Sequence, residues 1–256
     1  TLASGDNTVT PELSSVTATY SAGVLVATSS VDTAWVKGGV TGKNVVVSVG
    51  NDPSSTSAIQ WGRVTRPSAN FTLTAGSASG WSASVSASAV TFTGGSIAAG
   101  AQASFTVTLD AAASDTGAAA WTVDADNDSD GSSSVAASAA LSGVLSSGID
   151  ATAPGNIGFN SVTADSNTQI TAIAKTAPDA GSGLHATPYW FDETTGGTGG
   201  TDGTAWQAAT SYSDSGLTAT TEYCYRVKAR DAVGNESSFS TASCATTSAA
   251  PDTPAP

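Results

Sequence analysis

The sequence predicts an all-β chain made of two tandem β-sandwiches. Three observations carry that prediction. Apolar and polar residues alternate with a period of two in segment after segment, which puts one face of a strand in a core and the other in water. No stretch sustains the 3.6-residue apolar period of a helix. The 256 residues suffice for two ordinary cores. We place the domains at 1–149 and 150–248, followed by a Pro-rich tail at 249–256 that favours extended polyproline geometry. The linker is expected at Ser146-Ser-Gly-Ile-Asp-Ala-Thr-Ala-Pro154, short enough to set the domains end to end with limited swing.

In the first domain, Val9, Leu13, Val16, Ala18 and Tyr20 lie in a strand-prone N-terminal segment. A sandwich needs about 100 residues, so this segment is in excess. It is read either as a strand donated to a neighbouring subunit, pairing with an exposed sheet edge, or as the first strand of its own domain. Val45-Val-Val-Ser-Val49 lacks polar alternation and is expected to be a central strand covered on both faces. Strands are also read at 70–74, 81–85, 104–110 and 119–125; in the third of these, Phe105, Val107 and Leu109 point one way and the threonines the other. Thr93-Gly-Gly-Ser-Ile-Ala-Ala-Gly100 followed by Phe105 resembles the turn before a late strand in immunoglobulin-like domains of bacterial and archaeal surface proteins.

In the second domain, Tyr223, Tyr225, Val227 and Ala229 alternate with Cys224, Arg226, Lys228 and Arg230, and a turn follows at 231–235. Leu217 stands six residues before Tyr223, Arg230-Asp-Ala-Val-Gly-Asn-Glu-Ser237 forms the turn, and Ala153-Pro154 opens the domain. Over residues 150–248 these features resemble a bacterial fibronectin type III domain. The resemblance implies a sandwich that serves mostly as a spacer or adhesive module. The strand beginning near Gln169 lacks the Trp that many relatives carry, so Trp190 or Trp206 is expected to fill the core. If the hairpin turns near Gly234, Cys224 and Cys244, the only cysteines, fall opposite each other on its outward face, where a cross-strand disulfide can form. We read that pair as a staple rather than a redox or metal site, and it places the chain in an oxidising compartment.

Chemistry has few candidate carriers. Asp126-Asn-Asp128-Ser-Asp130-Gly131 matches the first half of a calcium loop, and Asp124, one strand period earlier, joins the set. Ala137 stands where an EF-hand supplies its bidentate Glu, so the alternative is a solvated acidic turn. His185 is the only histidine, which excludes a multi-His metal centre, and no G-x-S-x-G elbow supports a hydrolytic triad. Trp190 and Trp206 flank a Gly-rich loop and are the candidate sugar-stacking rings, with Trp35 and Trp61 as counterparts in the first domain; the competing reading is buried core. Asn70, Asn127 and Asn235 fit the N-glycosylation sequon.

Charge narrows the partners. The net charge is -13, with four basic and ten acidic residues in 1–149 and four basic and eleven acidic in 150–256. Both domains therefore lack the cations that nucleic acid or an anionic membrane surface requires. No apolar run approaches the roughly 20 residues of a membrane span. The chain reads as a mature, secreted protein whose signal peptide has been removed. The expected function is that of a non-enzymatic structural subunit of an extracellular filament, pilus-like fibre or surface layer, with copies of itself as head-to-tail partners. The alternative is an adhesin or carbohydrate-binding accessory module with surface glycans as partners. No cofactor is expected beyond calcium at the acidic turn.

Overall fold

The computed structural model describes residues 24–137 and 144–252. The N-terminal candidates Val9, Leu13, Val16, Ala18 and Tyr20 lie outside the described residues. Within them the chain forms eighteen strands and no helix.

The first unit pairs two main sheets. One has the order β1 (Ala27–Val31), β3 (Lys43–Asn51), β8 (Gln102–Ala111), β5 (Phe71–Ser77). The other runs β11 (Val135–Ala136), β10 (Thr122–Asp126), β4 (Ile59–Thr65), β7 (Ala89–Ile97), β6 (Ser82–Val85). Alternation does what it predicts: Phe105, Val107 and Leu109 are fully buried, and Phe105 stacks on Phe92 with ring centroids 4.3 Å apart. Each such side chain contributes about 1.5–3 kcal/mol through burial. The expectation for β3 needs correction. The strand is central, between β1 and β8, but Val45, Val47 and Val49 are buried while Val46 and Ser48 are only half-buried. An antiparallel sheet needs cover on one face only, and a run of valines does not by itself put cover on the other.

A third, three-stranded sheet comprises β2 (Trp35–Lys37), β12 (Ser146–Asp150) and β9 (Thr116–Ala120), with β12 parallel to β2 and antiparallel to β9. The residues expected to begin the linker are thus the last strand of the first sandwich. Ile149 explains the difference: it is fully buried, and Ser147 accepts the Trp121 indole N–H at 2.8 Å. The Ser-Ser-Gly run looked like a spacer, yet small side chains also suit a tightly covered strand. The covalent crossing shortens to 151–154.

The second unit packs β13 (Phe159–Ala164), β14 (Gln169–Ala174) and β16 (Ser211–Ser215) against β15 (Leu184–Glu193), β17 (Glu222–Asp231) and β18 (Ser243–Thr246), three strands on three. Ile170, Ala172 and Ala174 belong to the same core as Tyr189, Phe191, Tyr225, Val227 and Ala229. Tyr223 is fully buried; its hydroxyl accepts the Thr218 amide at 2.9 Å and donates to Thr198 O at 2.7 Å. That bond closes the corner before β17. Gly197 lies so close to the Tyr223 ring that a Cβ there would sit 2.6 Å from it, so the Gly-rich loop is shaped by close approach. Neither Trp190 nor Trp206 fills the core. Tyr189, Phe191, Tyr212 and Tyr225 do, because the strand period sends Trp190 to the face opposite its neighbours Tyr189 and Phe191.

Candidate functional site

The acidic turn caps the hairpin of β10 and β11. Asp126 is fully buried and accepts the Ser133 amide at 2.7 Å and the Asp128 amide at 3.3 Å. Asp128 accepts the amides of Asp130 and Gly131, each at 3.1 Å, and Asp130 accepts that of Ser132 at 2.8 Å. The Ser132 hydroxyl and amide hold the Asp130 carboxyl below its ordinary range. Oxygens of Asp126, Asp128 and Asp130 converge within 4.8 Å. Asp124 does not join them. It lies opposite Arg63 in the β10–β4 register and forms an ion pair with it at 2.8 Å. The expected set of four carboxylates is therefore three, since a neighbouring strand supplied a cation that sequence spacing could not foresee.

Trp190 and Trp206 do come together, ring edge to ring face, with centroids 5.4 Å apart. Both are half-buried on the outer face of the β15–β17–β18 sheet. The charges that alternate along β17 stand over the rings: Arg230 lies 4.4 Å from the Trp206 centroid, and Lys228 lies 5.0 Å from Trp190 and 5.2 Å from Trp206. Arg226 lies 4.2 Å over Phe239. Cations thus cover part of the ring surface on which a sugar could stack. In the first domain Trp61 is buried and unsuited to stacking, while Trp35 lines a cavity described below.

Cys224 and Cys244 are directly opposite in the β17–β18 register and form a disulfide, with Cα atoms 4.0 Å apart. His185 bonds locally to Thr187 through Nδ1. Asn70 is exposed and Asn127 donates to the Ser57 hydroxyl. The sequon at Asn235 is corrected: its side-chain amide is buried and donates to Asp150 O at 2.9 Å and to Asp231 Oδ2 at 2.7 Å, so its nitrogen is inaccessible to a glycan-transfer enzyme.

That last contact leads to a group the sequence reading missed. Asp150 ends the first sandwich; in the second, Asp179 lies in a loop and Asp231 ends β17, and oxygens of all three lie within 4.8 Å of one another. Asp150 and Asp231 are 2% and 0% exposed. Burial, and then the charges of Asp150 and Asp231, raise the Asp179 carboxyl above its ordinary value. Lys37 of β2 adds a second tie across the junction, donating to Gly234 O at 2.6 Å. The available signal was three short Asp turns, Asp150-Ala-Thr-Ala-Pro154, Asp179-Ala-Gly-Ser-Gly183 and Asp231-Ala-Val-Gly-Asn235, each with backbone amides returning to its Asp or available to do so.

The three-on-three strand order and the Tyr223 corner decide the architecture. The chain is a tandem of two β-sandwiches, the second with the strand arrangement and tyrosine corner of a fibronectin type III-like fold. No protein-family model matches it. Among solved structures it is similar to domains A168-A170 of titin, at 13% identity and a TM-score of 0.42, covering 88% of this chain and 67% of that one. It is also similar to the FN1-FN3 domains of chicken CNTN1, at 15% identity and a TM-score of 0.39, covering 87% and 66%. An alpha-amylase of Niallia circulans is 66% identical over 41 residues, which are 16% of this chain and 3% of the amylase. No helix among the described residues is long and apolar enough to cross a membrane.

Proposed function

We propose that the chain is a non-catalytic structural subunit of an extracellular assembly, a filament or surface layer, in which copies join through sheet edges. One observation carries this reading. β6 closes its five-stranded sheet, pairs among the described residues only with β7, and exposes all four of its residues, Val85 included at 42%. Such an edge offers backbone groups and an apolar side chain to an incoming strand. The disulfide supports the oxidising location, and the ties across the junction favour a stiff repeat over a hinged one.

Negative-stain electron microscopy of the native secreted material tests the proposal. Regular fibres or sheets are expected, and Val85→Lys should reduce them while the chain stays folded. Monodisperse particles at high concentration would overturn it.

A second reading, an accessory module that holds a polysaccharide, draws on the short amylase match and on the Trp190–Trp206 pair. Retention of the chain on insoluble starch, lost in Trp206→Ala, would favour it.

A further inference from the structure

The junction brings together three carboxylates from two sandwiches, two of them buried and Asp179 half-buried. The three ion pairs among the described residues, Arg63–Asp124, Arg226–Asp192 and Lys228–Glu236, include none of Asp150, Asp179 and Asp231. Neutral amides alone serve these carboxylates. Thr152 and Ser182 each donate one N–H to a different oxygen of Asp150, at 3.1 and 2.7 Å; Gly183 donates to Asp179 Oδ2 at 2.7 Å; and Val233 and Asn235 donate to Asp231. A carboxylate oxygen accepts two bonds, so both oxygens of Asp150 keep acceptor capacity. Close packing of like charges, two of them out of water, is costly without a cation.

Two further features point to a ligand. The Ser182 hydroxyl oxygen is shielded from solvent and has no hydrogen-bond partner, on the residue whose own amide holds Asp150 Oδ2. In addition, a cavity of about 290 Å³ reaches Asp150 and Asp179 and is walled by Trp35, Asp115, Thr152 and Gly181. It leaves room for the waters that complete the shell of a hard cation with six to eight oxygen ligands. Gly181 fits this packing, since a Cβ there would sit 2.5 Å from the Asp150 carboxyl carbon.

We propose that Asp150, Asp179 and Asp231 bind a calcium ion that locks the two sandwiches together. The ion draws one ligand from the final strand of the first domain, one from a loop of the second and one from the end of β17. Binding therefore couples the domains, and it stabilises whichever state holds the ligands assembled. The proposal stands independently of whether copies of the chain assemble.

Calorimetric titration of calcium into the chelator-treated full chain, paired with thermal melting, tests it. Binding and a calcium-dependent rise in melting temperature are expected. Asp179→Asn should weaken binding at this site about tenfold or more and remove its share of the rise, without lowering the melting temperature in chelator, because it also removes a repelling charge. Asp128→Asn, at the separate acidic turn, should leave the junction's binding and stabilisation in place. Absence of binding at millimolar calcium, or binding and stabilisation that Asp179→Asn leaves unchanged, would overturn the proposal.

Discussion

The first sandwich buries aliphatic side chains and phenylalanines, with Phe92 stacked on Phe105 and Trp81 set edge-on to Phe105 at 5.2 Å. The second buries tyrosines around a carboxylate: Tyr225 donates to Asp214 at 2.9 Å, Tyr212 bonds to Thr201, and Asp214, 1% exposed, also takes the Thr201 amide at 3.0 Å. Both interiors hold the same kind of sandwich together. An apolar core draws on area removed from water, whereas a core of phenols must also satisfy every hydroxyl, and it gains direction and a dependence on pH in return. The second unit adds a covalent staple across β17 and β18; the first has no cysteine at all.

The sharpest break of this contrast is Phe105→Ala, which removes the ring at the centre of the first core. We expect a loss of about 3–5 kcal/mol from the first sandwich, read by denaturant unfolding. A change within 1 kcal/mol, as for a surface site, would mean the stacked rings are not its keystone. Next comes the double variant Cys224→Ala, Cys244→Ala, expected to cost the second sandwich about 3 kcal/mol in the chain-entropy model and to leave the first unchanged. Reduction with a thiol should reproduce that loss; equal effects on both units would contradict the assignment.

Tyr223→Phe is expected to cost about 1–2 kcal/mol, since it strands the Thr218 amide without disturbing the ring, while the Thr198 carbonyl keeps the Thr218 hydroxyl as donor. Alkaline pH separates the two units without a mutation. Burial, with the Asp214 charge assisting, pushes the Tyr212 hydroxyl up to about 12 from its ordinary 10.0, and burial pushes Tyr225 up as well. Between these values the folded chain keeps a proton that the unfolded chain has lost, so stability falls as pH rises above about 10. The first sandwich buries no tyrosine among its described residues. Ultraviolet absorbance of ionised tyrosine should therefore rise together with unfolding of the second unit, ahead of the first. The smallest effect is expected from Trp206→Ala, roughly 0.5–1 kcal/mol for the cation contacts at a half-exposed face plus lost packing; a loss above 3 kcal/mol would make that face a second core.

Strand existence was legible because alternation is local. Phe105, Val107 and Leu109, or Tyr223, Tyr225 and Val227, announce their inward face within a few residues. The disulfide was legible for the same reason, since a hairpin fixes which residues face each other. The calcium-like turn was read in part: Asp126, Asp128 and Asp130 converge as the spacing suggests, but Arg63, about sixty residues away in the chain, takes Asp124. Trp190 and Trp206 were read only as flanking the Gly-rich loop; that their rings meet, and that cations stand over them, depended on strand register.

The sequence by itself determined two all-β cores, the staple and the acidic balance, because period, cysteine spacing and charge are properties of neighbouring residues. Only the tertiary structure decided where the first sandwich ends, that Asn235 is locked rather than free, and that Asp150, Asp179 and Asp231 meet. Those outcomes depend on how two finished sandwiches dock, and docking brings together groups from distant turns that no local pattern relates.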